Sequence, residues 1–391
     1  MSEMGFFPYS DGIRGLRMKF VATENLKPGM RLAKPIFNKR GVMLYERDSK
    51  LTSQGIQSIF NFGLIGIYIL EPAEPLPPMT EEDREFERFQ TMSVFTLQEI
   101  LDDISAGKAS KKLNGLVREI LSIFGKYKGK ITFMQNLRSS ADNVYKHSLN
   151  VAILAAAISG KMDIPQTRQS NIVTAALLHD IGSLKVPESI SKKPIPDLTE
   201  EENEQLMGYR EAGVSLLRDN MTLDSSVMKN ISFLLRDLRN LKKPVHEMEK
   251  YPEDIDVDIL KVAYEFDVLT AMKYGAEPRS DIAAYQFLKH PRNRMNQKVV
   301  TALTHAINIV PSGCSVQFAN GEKGIVLTEN ESDILRPFVL SFRDNKIYNL
   351  SDGKTYEEYQ IADVLKTLDN RYVMMDEYKK YLDMLSKGEV Q

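Results

Sequence analysis

The feature that most constrains this fold is a long central stretch, residues 139–310, with almost continuous helical periodicity. Apolar side chains recur there at steps of three and four, most clearly in SLNVAILAAAISG, NIVTAALLHDIG and DILKVAYEFDVLTAM. Successive amphipathic helices bury their apolar faces against one another. We therefore predict a mainly α protein whose central domain is a helical bundle.

Shorter segments with strand character flank this bundle. Residues 18–70 contain apolar pieces on either side of one helical stretch, with a turn at Lys27-Pro28-Gly29, and predict a small N-terminal α+β domain. In residues 311–350, apolar and polar residues alternate on both sides of Asn320-Gly321, which predicts a small C-terminal β unit that contains a hairpin. Helical periodicity returns in the tail, residues 354–391.

Two segments join these parts. Residues 71–79 hold four prolines, which cannot continue a helix or a central strand and so predict a linker. Residues 80–138 predict connecting helices, with apolar steps such as Leu113, Val117 and Leu121. This pattern is compatible with a connecting helix, a dimeric coiled coil or the first layer of the central domain, and the sequence leaves the three open.

Composition excludes several classes of protein. Lys plus Arg number 51 and Asp plus Glu number 53, a net charge of −2, so the chain lacks the overall basic charge of DNA- or RNA-binding proteins. The single cysteine, Cys314, excludes an intrachain disulfide framework and a multi-cysteine zinc site. The N-terminus has no signal-like pattern and no apolar run is long enough for a membrane span, so we expect a cytoplasmic protein.

Two of the five histidines stand in a distinctive context. The pair His179-Asp180 ends one apolar helix, and His147 lies near the start of another. If these helices pack together, two imidazoles and a carboxylate come close, a set that suits Zn, Fe, Mn or Ni. A bridging carboxylate could then hold two ions with a hydroxide nucleophile between them. A His-Asp pair also arises by chance, so a purely structural role stays open.

The order of these motifs resembles the HD-GYP family, a branch of the HD phosphohydrolase superfamily. HSLNVA is followed by ALLHDIG, and VAYEFDVLTA at residues 262–271 is similar to the family's VADxFDALTS segment. VPSGCSVQFANGEKGIV is similar to a frequent C-terminal extension, and the N-terminal part to a small domain that often precedes HD-GYP domains. The resemblance implies an HD-superfamily helical bundle, cyclic-di-GMP phosphodiesterase activity in bacterial signalling, and two or three Fe- or Mn-type ions.

Transferred residue by residue, the resemblance keeps only part of the metal site. It implies that His147, His179 and Asp180 are ligands, and Asp267 of the last segment is also kept. The other ligand positions fall on Tyr209, Leu234, Leu235 and Tyr264. Further signature positions differ as well: Ser183 replaces a lysine, Arg236 a glutamate, Lys242 and Lys243 a Gly-Tyr pair, Lys273 an arginine, and Asn143 a glutamate that some members have.

These substitutions have a chemical consequence. Leucine cannot bind a metal, and neutral tyrosine, with a pKa of about 10, is a poor ligand. The ligands that remain would hold no metal or at most one divalent transition metal, and that weakly, whereas two ions supply most of the charge stabilisation in such a hydrolysis. We therefore expect a degenerate, non-catalytic member with no catalytic residue, a pseudoenzyme that binds a partner or a cyclic dinucleotide. Two alternatives stay open, namely a metal-dependent cyclic-di-GMP phosphodiesterase with an incomplete site and a scaffold without a ligand.

Basic side chains near these positions leave phosphate binding open, because arginine pairs well with phosphate. The residues that border the pocket in the family are Lys192, Lys193, Arg236, Arg239, Lys242, Lys243 and Lys273. The alternative is a solvated helix face. Among the other histidines, His246 lies in a polar stretch that could still reach the site, whereas we expect His290 on the surface and His305 packed in a helix. A homodimer is compatible with the resemblance.

Overall fold

A computed structural model of the 391-residue chain contains three parts in sequence order. The described residues are 18–37, 42–47, 49–61, 66–70, 81–135, 137–138, 142–193, 197–240, 254–273 and 278–365. The first part contains β1 (Met18–Ala22), β2 (Ile36–Phe37), β3 (Met43–Tyr45), α1 (Ser53–Asn61) and β4 (Gly66–Leu70). Strands β1 and β4 pair antiparallel, as do β2 and β3, and Leu32, Leu51 and Ile59 form a small apolar core. This is the small α+β region that the sequence predicts.

The second part is almost wholly helical. Its elements are α2 (Glu81–Ser105), α3 (Leu113–Ile120), β5 (Leu137–Arg138), α4 (Asn143–Lys161), α5 (Gln166–Leu178), α6 (Glu188–Ser191), α7 (Glu200–Asn220), α8 (Ser225–Asn240), α9 (Ile255–Thr270), β6 (Met272–Lys273), α10 (Asp281–Lys289) and α11 (Gln297–Ala306). A π turn, Leu121–Gly125, continues α3, and a 3-10 turn, Ile181–Lys185, follows α5. The short strands β5 and β6 pair in parallel.

Helix α4 is the centre of this bundle. Nearly all of its side chains are buried, including the small residues Ala152, Ala155 and Ala156, as expected of a helix that other helices surround. It packs against α2, α5, α9 and α11. Leu97, Ile100 and other apolar residues of α2 belong to the same core. Of the three alternatives for residues 80–138, the structure therefore supports the first layer of the central domain.

The third part is a five-stranded antiparallel sheet with the order β10-β9-β8-β7-β11. Its elements are β7 (Ser315–Phe318), β8 (Lys323–Thr328), β9 (Phe338–Ser341), β10 (Ile347–Asn349), α12 (Gly353–Glu358) and β11 (Ile361–Leu365). The hairpin between β7 and β8 confirms the prediction from Asn320-Gly321, and Gly321 has the positive φ of +85° that its turn requires.

The sequence prediction was wrong about part of the tail, although its first residues do lie in helix α12. A helix was expected across residues 354–391, yet Ile361–Leu365 forms β11 and pairs with the exposed edge of β7. Covering that edge satisfies backbone groups that a helix at the same position would leave unpaired on β7. The β unit consequently extends to residue 365. The later tail and the linker at residues 71–79 lie outside the described residues.

Candidate functional site

The two histidines that the sequence places on neighbouring helices do come together. His147, in the first turns of α4, and His179, which ends α5, are buried with their Nε2 atoms 3.3 Å apart. Asp180 follows directly and is buried as well. The proximity expected from the packing of these two helices is therefore confirmed.

The hydrogen bonds of the two rings fix their protons. The Nδ1 atom of His179 lies 2.8 Å from the carbonyl oxygen of Ala176, which can only accept, so this nitrogen carries a proton and donates it. The Nδ1 atom of His147 lies 2.6 Å from a carboxylate oxygen of Asp267 and donates in the same way. In the neutral rings both Nε2 atoms are therefore acceptors, and they face each other.

Asp180 is held by an arginine. The Nε atom of Arg210 donates to Asp180 Oδ1 over 2.9 Å, and its Nη2 atom donates to the hydroxyl of Tyr264 over 3.1 Å. The hydroxyl of Ser183 also donates to Asp180. Arg210 is 7% exposed, so its guanidinium is a buried cation beside the carboxylate that a metal would use.

The helix that carries Arg210 is positioned by close backbone contact. Helix α7 begins with a capping box formed by Thr199 and Glu202. Farther along, a Cβ atom on Gly213 would lie 2.5 Å from the backbone nitrogen of Gly182, so glycine at both positions lets α7 approach the 3-10 turn after His179. In this orientation Arg210 points into the site, and the preceding Tyr209, which the resemblance aligns with a ligand, is only half-buried.

Asp267 is held in a similar way from the other side. It accepts hydrogen bonds from His147, from Arg138 at the end of β5, from Asn150 over 3.0 Å and from Gln135 over 3.0 Å. Arg138 is 1% exposed. Asn150 in turn accepts from Gln90 of α2 over 3.0 Å, so the polar contacts continue across the bundle. We call His147, His179, Asp180 and Asp267, with Arg138 and Arg210, the His–Asp cluster.

The charges of the His–Asp cluster cancel. Burial raises the pKa of Asp180 and Asp267, but the neighbouring guanidiniums and imidazoles outweigh it and hold the pKa of both carboxyls below the usual range. Burial lowers the pKa of His147, and burial together with the neighbouring His147 lowers the pKa of His179 to about 4. At pH 7 the cluster therefore contains two carboxylates, two guanidiniums and two neutral imidazoles.

Comparison with known proteins shows what the region around this cluster is similar to. The HD domain family matches residues 144–272. The cyclic di-GMP phosphodiesterase PA4108 of Pseudomonas aeruginosa is 24% identical over 288 residues, which are 69% of this chain and 66% of the relative. The cyclic di-GMP phosphodiesterase PdeB of Borreliella burgdorferi is 23% identical over 238 residues, which are 60% and 59% of the two chains. Residues 144–272 thus match the HD domain family, and the two relatives support a relation of this chain to the HD-GYP branch.

This chain spans less than two thirds of the length of either relative, at 66% and 59%. Among solved structures, Bd1817, an HDG"Y"P protein from Bdellovibrio bacteriovorus, is similar with 12% sequence identity and a TM-score of 0.45. That similarity covers 73% of this chain and 97% of Bd1817. In the described part of the chain, no helix has the length and apolar character needed to span a membrane.

HD domains usually bind divalent metal ions, but the residues of this chain do not fit a two-metal centre. Leu234 and Leu235 of α8 are buried in the apolar core, and the ring of Tyr264 stands edge-on to His147 with centroids 4.7 Å apart. Asp180 and Asp267, the two carboxylates of the cluster, already bind guanidiniums. Within the described ranges, no three His, Cys, Asp or Glu side chains are arranged to hold a metal ion.

Most of the basic residues near the site are paired with acids. The described pairs are Lys192 with Glu188, Lys193 with Glu202, Arg236 with Asp237, and Arg239 with both Glu204 and Glu211. Arg236 also lies over the ring of Phe233, 4.2 Å from its centroid. Lys273 is in β6, and Lys242, Lys243 and His246 lie outside the described residues. A phosphate would therefore have to compete with acidic partners at Arg236 and Arg239.

The remaining predicted residues take structural positions. His290 is exposed, and its ring accepts a hydrogen bond from the backbone of Arg292. His305 is half-buried on α11. Asn143 begins α4 and is also half-buried. None of these three residues forms a described contact with the His–Asp cluster.

The sequence analysis missed the two arginines of the His–Asp cluster. Arg138 precedes the HSLNVA motif, and Arg210 stands one residue after the aligned ligand position. A buried arginine is rare unless it is paired, but nothing in the sequence marks these two as buried. Their role follows from the backbone positions of β5 and α7.

Proposed function

We propose that this chain is a non-catalytic HD-GYP-like signalling protein that acts by binding a partner or a cyclic dinucleotide. The observation that carries the proposal is the pairing of Arg210 with Asp180 and of Arg138 with Asp267. Both relatives are cyclic di-GMP phosphodiesterases by name, which supports cyclic-di-GMP as the dinucleotide. We propose no catalytic residue.

The physical argument is electrostatic. A metal ion at Asp180 would lie beside the positive charge of Arg210, and like charges at such short range in a buried site repel strongly. If the arginine were displaced, a buried guanidinium would lose its carboxylate, which costs about 3–5 kcal/mol. Arg210 thus neutralises the charge of Asp180, as a metal ion would. Unlike a metal ion, it provides neither a Lewis acid nor a bound hydroxide.

One observation favours a second candidate, a metal-dependent cyclic-di-GMP phosphodiesterase with an incomplete site. The Nε2 atoms of His147 and His179 face each other at 3.3 Å, and both are acceptors in the neutral rings. Two imidazole ligands about 2.0–2.1 Å from one tetrahedral ion have nearly this separation. These two residues would hold one divalent ion, and we propose at most one, weakly bound.

For phosphate binding we retain Lys273, Arg236, Lys242 and Lys243 as proposed positions. We also propose the boundaries inferred from the sequence, 18–70, 71–79, 80–138 and 139–310, with the β unit extended from 311 to 365. A cytoplasmic location and a homodimer belong to the same proposal.

The test is a turnover assay on the purified full-length chain. The protein is incubated with Mn²⁺ or Fe²⁺ and cyclic-di-GMP, and the products are separated by chromatography. We expect no hydrolysis above background and no difference between the parent chain and His179→Ala. His305→Ala, which changes a histidine outside the cluster, is the matched control. Hydrolysis that His179→Ala abolishes and His305→Ala preserves would contradict the proposal and favour the second candidate.

A further inference from the structure

A groove lies between the first half of α2 and the π turn that follows α3. Its volume is about 460 Å³. The rings of Phe86, Phe89 and Phe124 line it, with edge-to-face contacts of 5.9 Å between the centroids of Phe86 and Phe124 and 5.2 Å between those of Phe89 and Phe124. The groove therefore has a packed aromatic floor rather than a collection of loose side chains.

Its apolar walls are unusually exposed. Among the described residues, six large apolar side chains are markedly exposed, and three of them, Met92 at 38%, Ile123 at 41% and Tyr127 at 49%, line this groove. Single exposed apolar residues are normal, but a cluster with a polar rim marks an interaction site. Ile123 belongs to the π turn, a type of turn that occurs often at functional sites.

The rim of the groove is acidic. Glu82, Asp83, Glu85 and Glu119 border it. Its two cations are already engaged, Arg88 with Glu85 over 3.6 Å and Lys130 with Glu329 over 2.5 Å. We call this feature the acidic groove. With four acidic side chains against two basic ones, the lining favours an occupant that brings apolar side chains for the floor and positive charge for the rim.

The spacing of the lining residues indicates the shape of the occupant. Glu82, Phe86, Phe89 and Met92 follow one face of α2 at steps of three and four, and Ile123 and Tyr127 continue the opposite wall. Two such elongated walls form a trough of the kind that accepts the apolar face of a helix. We propose that the acidic groove binds a basic amphipathic helix of a partner protein.

This proposal specifies the kind of partner in the partner-binding alternative of the proposed function. It rests on that function only in assigning the interaction a role in signalling. The acidic groove shares no lining residue with the His–Asp cluster. A negative peptide result would therefore leave the turnover and metal results intact, and those results would not decide the peptide experiment.

The experiment measures peptide binding to the full-length chain by fluorescence anisotropy. Three labelled helical peptides, each about five turns long, share leucines at helical spacing and carry lysine, glutamine or glutamate at all other positions. We expect the lysine peptide to bind at least about tenfold more tightly than the glutamate peptide, with an advantage that falls as salt is added. Equal affinities for the three peptides, or no binding, would overturn the proposal.

Matched variants locate the site. Glu82→Lys, at the second residue of α2, should weaken binding of the lysine peptide several-fold. Glu201→Lys, at the second residue of α7, should leave that binding unchanged. Met92→Gln should weaken the binding of every peptide that binds. Phe60→Gln, which removes an exposed apolar side chain elsewhere, should leave peptide binding unchanged. Equal effects of a variant and its control on peptide binding would contradict the proposed position of the site.

Light scattering tests whether a second copy of this chain occupies the acidic groove. A dimer that Met92→Gln dissociates would also overturn the proposal.

Discussion

The His–Asp cluster and the acidic groove differ in how their charges and apolar surfaces are satisfied. In the cluster each carboxylate binds a guanidinium, both arginines are buried, and the charges cancel. In the groove, large apolar side chains stay exposed beneath an acidic rim. Helix α2 contributes to both, with Gln90 joined to the cluster's polar contacts and Phe89 on the groove floor. The comparison shows that the buried charges of the cluster are paired within the chain, whereas the groove leaves apolar surface exposed.

The largest effect should come from removing Arg210, because Asp180 would remain as a buried and unpaired charge. We expect Arg210→Met to lower the free energy of unfolding by about 3–5 kcal/mol, measured by urea denaturation. Arg239→Met breaks partly exposed ion pairs with Glu204 and Glu211 and should cost less than about 1 kcal/mol. Equal losses in the two variants would show that Arg210 is not the central ion-pair partner.

The next largest effect should be a loss of stability in acid. His179 takes up a proton near pH 6.5 in the unfolded chain, whereas its folded pKa is about 4, so the unfolded state binds more protons between these values. The free energy of unfolding should therefore fall as the pH drops from about 6.5 to 4, by about 2–3 kcal/mol at pH 4.5.

The lowered pKa of His147 acts in the same direction. The lowered pKa values of Asp180 and Asp267 add a separate loss below about pH 4, where the unfolded carboxyls become protonated. Urea titrations at several pH values measure this profile. Between about pH 6.5 and 4, the free energy of unfolding should depend less on pH in His179→Gln than in the parent chain. His305→Gln should keep the parent's dependence. An unchanged profile in His179→Gln would mean that this ring is not the group that titrates.

A smaller effect should follow from Tyr264→Phe, which removes the hydroxyl that accepts from Arg210 and keeps the ring beside His147. We expect a loss of about 1 kcal/mol. Tyr285→Phe, at a largely buried tyrosine of α10, is the control for removing a hydroxyl elsewhere. If Tyr264→Phe increases stability, the hydrogen bond to Arg210 contributes less than the cost of burying the hydroxyl.

The smallest effect on stability should come from the acidic groove. Met92→Gln changes an exposed side chain within α2 and should alter the free energy of unfolding by less than about 0.5 kcal/mol, although it weakens peptide binding. A large loss of stability would show that Met92 belongs to the core and would remove the contrast between the two regions.

Much of the fold could be predicted because it follows from local patterns. The helical bundle, the β7–β8 hairpin and the meeting of His147 with His179 rest on periodicity, turn residues and the packing of two apolar helices. The strand Ile361–Leu365 could not be predicted in this way, because its conformation depends on pairing with the edge of β7, which is distant in the sequence.

The arginines of the site show the same limit. Tyr209 and Arg210 are adjacent, and the orientation of α7, which approaches closely at Gly182 and Gly213, places Arg210 against Asp180. Likewise, Arg138 reaches Asp267 from a strand that pairs with β6. The sequence resemblance identifies the substituted ligand positions, but the pairing of Arg138 and Arg210 with the two carboxylates follows from tertiary structure.

The most direct test of the central claim is the metal content of the purified chain after incubation with excess Mn²⁺ or Fe²⁺ and removal of free ions. If arginines hold both carboxylates, elemental analysis should find no more than one ion per chain. Anomalous scattering from crystals should then place any such ion between His147 and His179. Two ions per chain bridged by Asp180, with Arg210 displaced, would contradict the account.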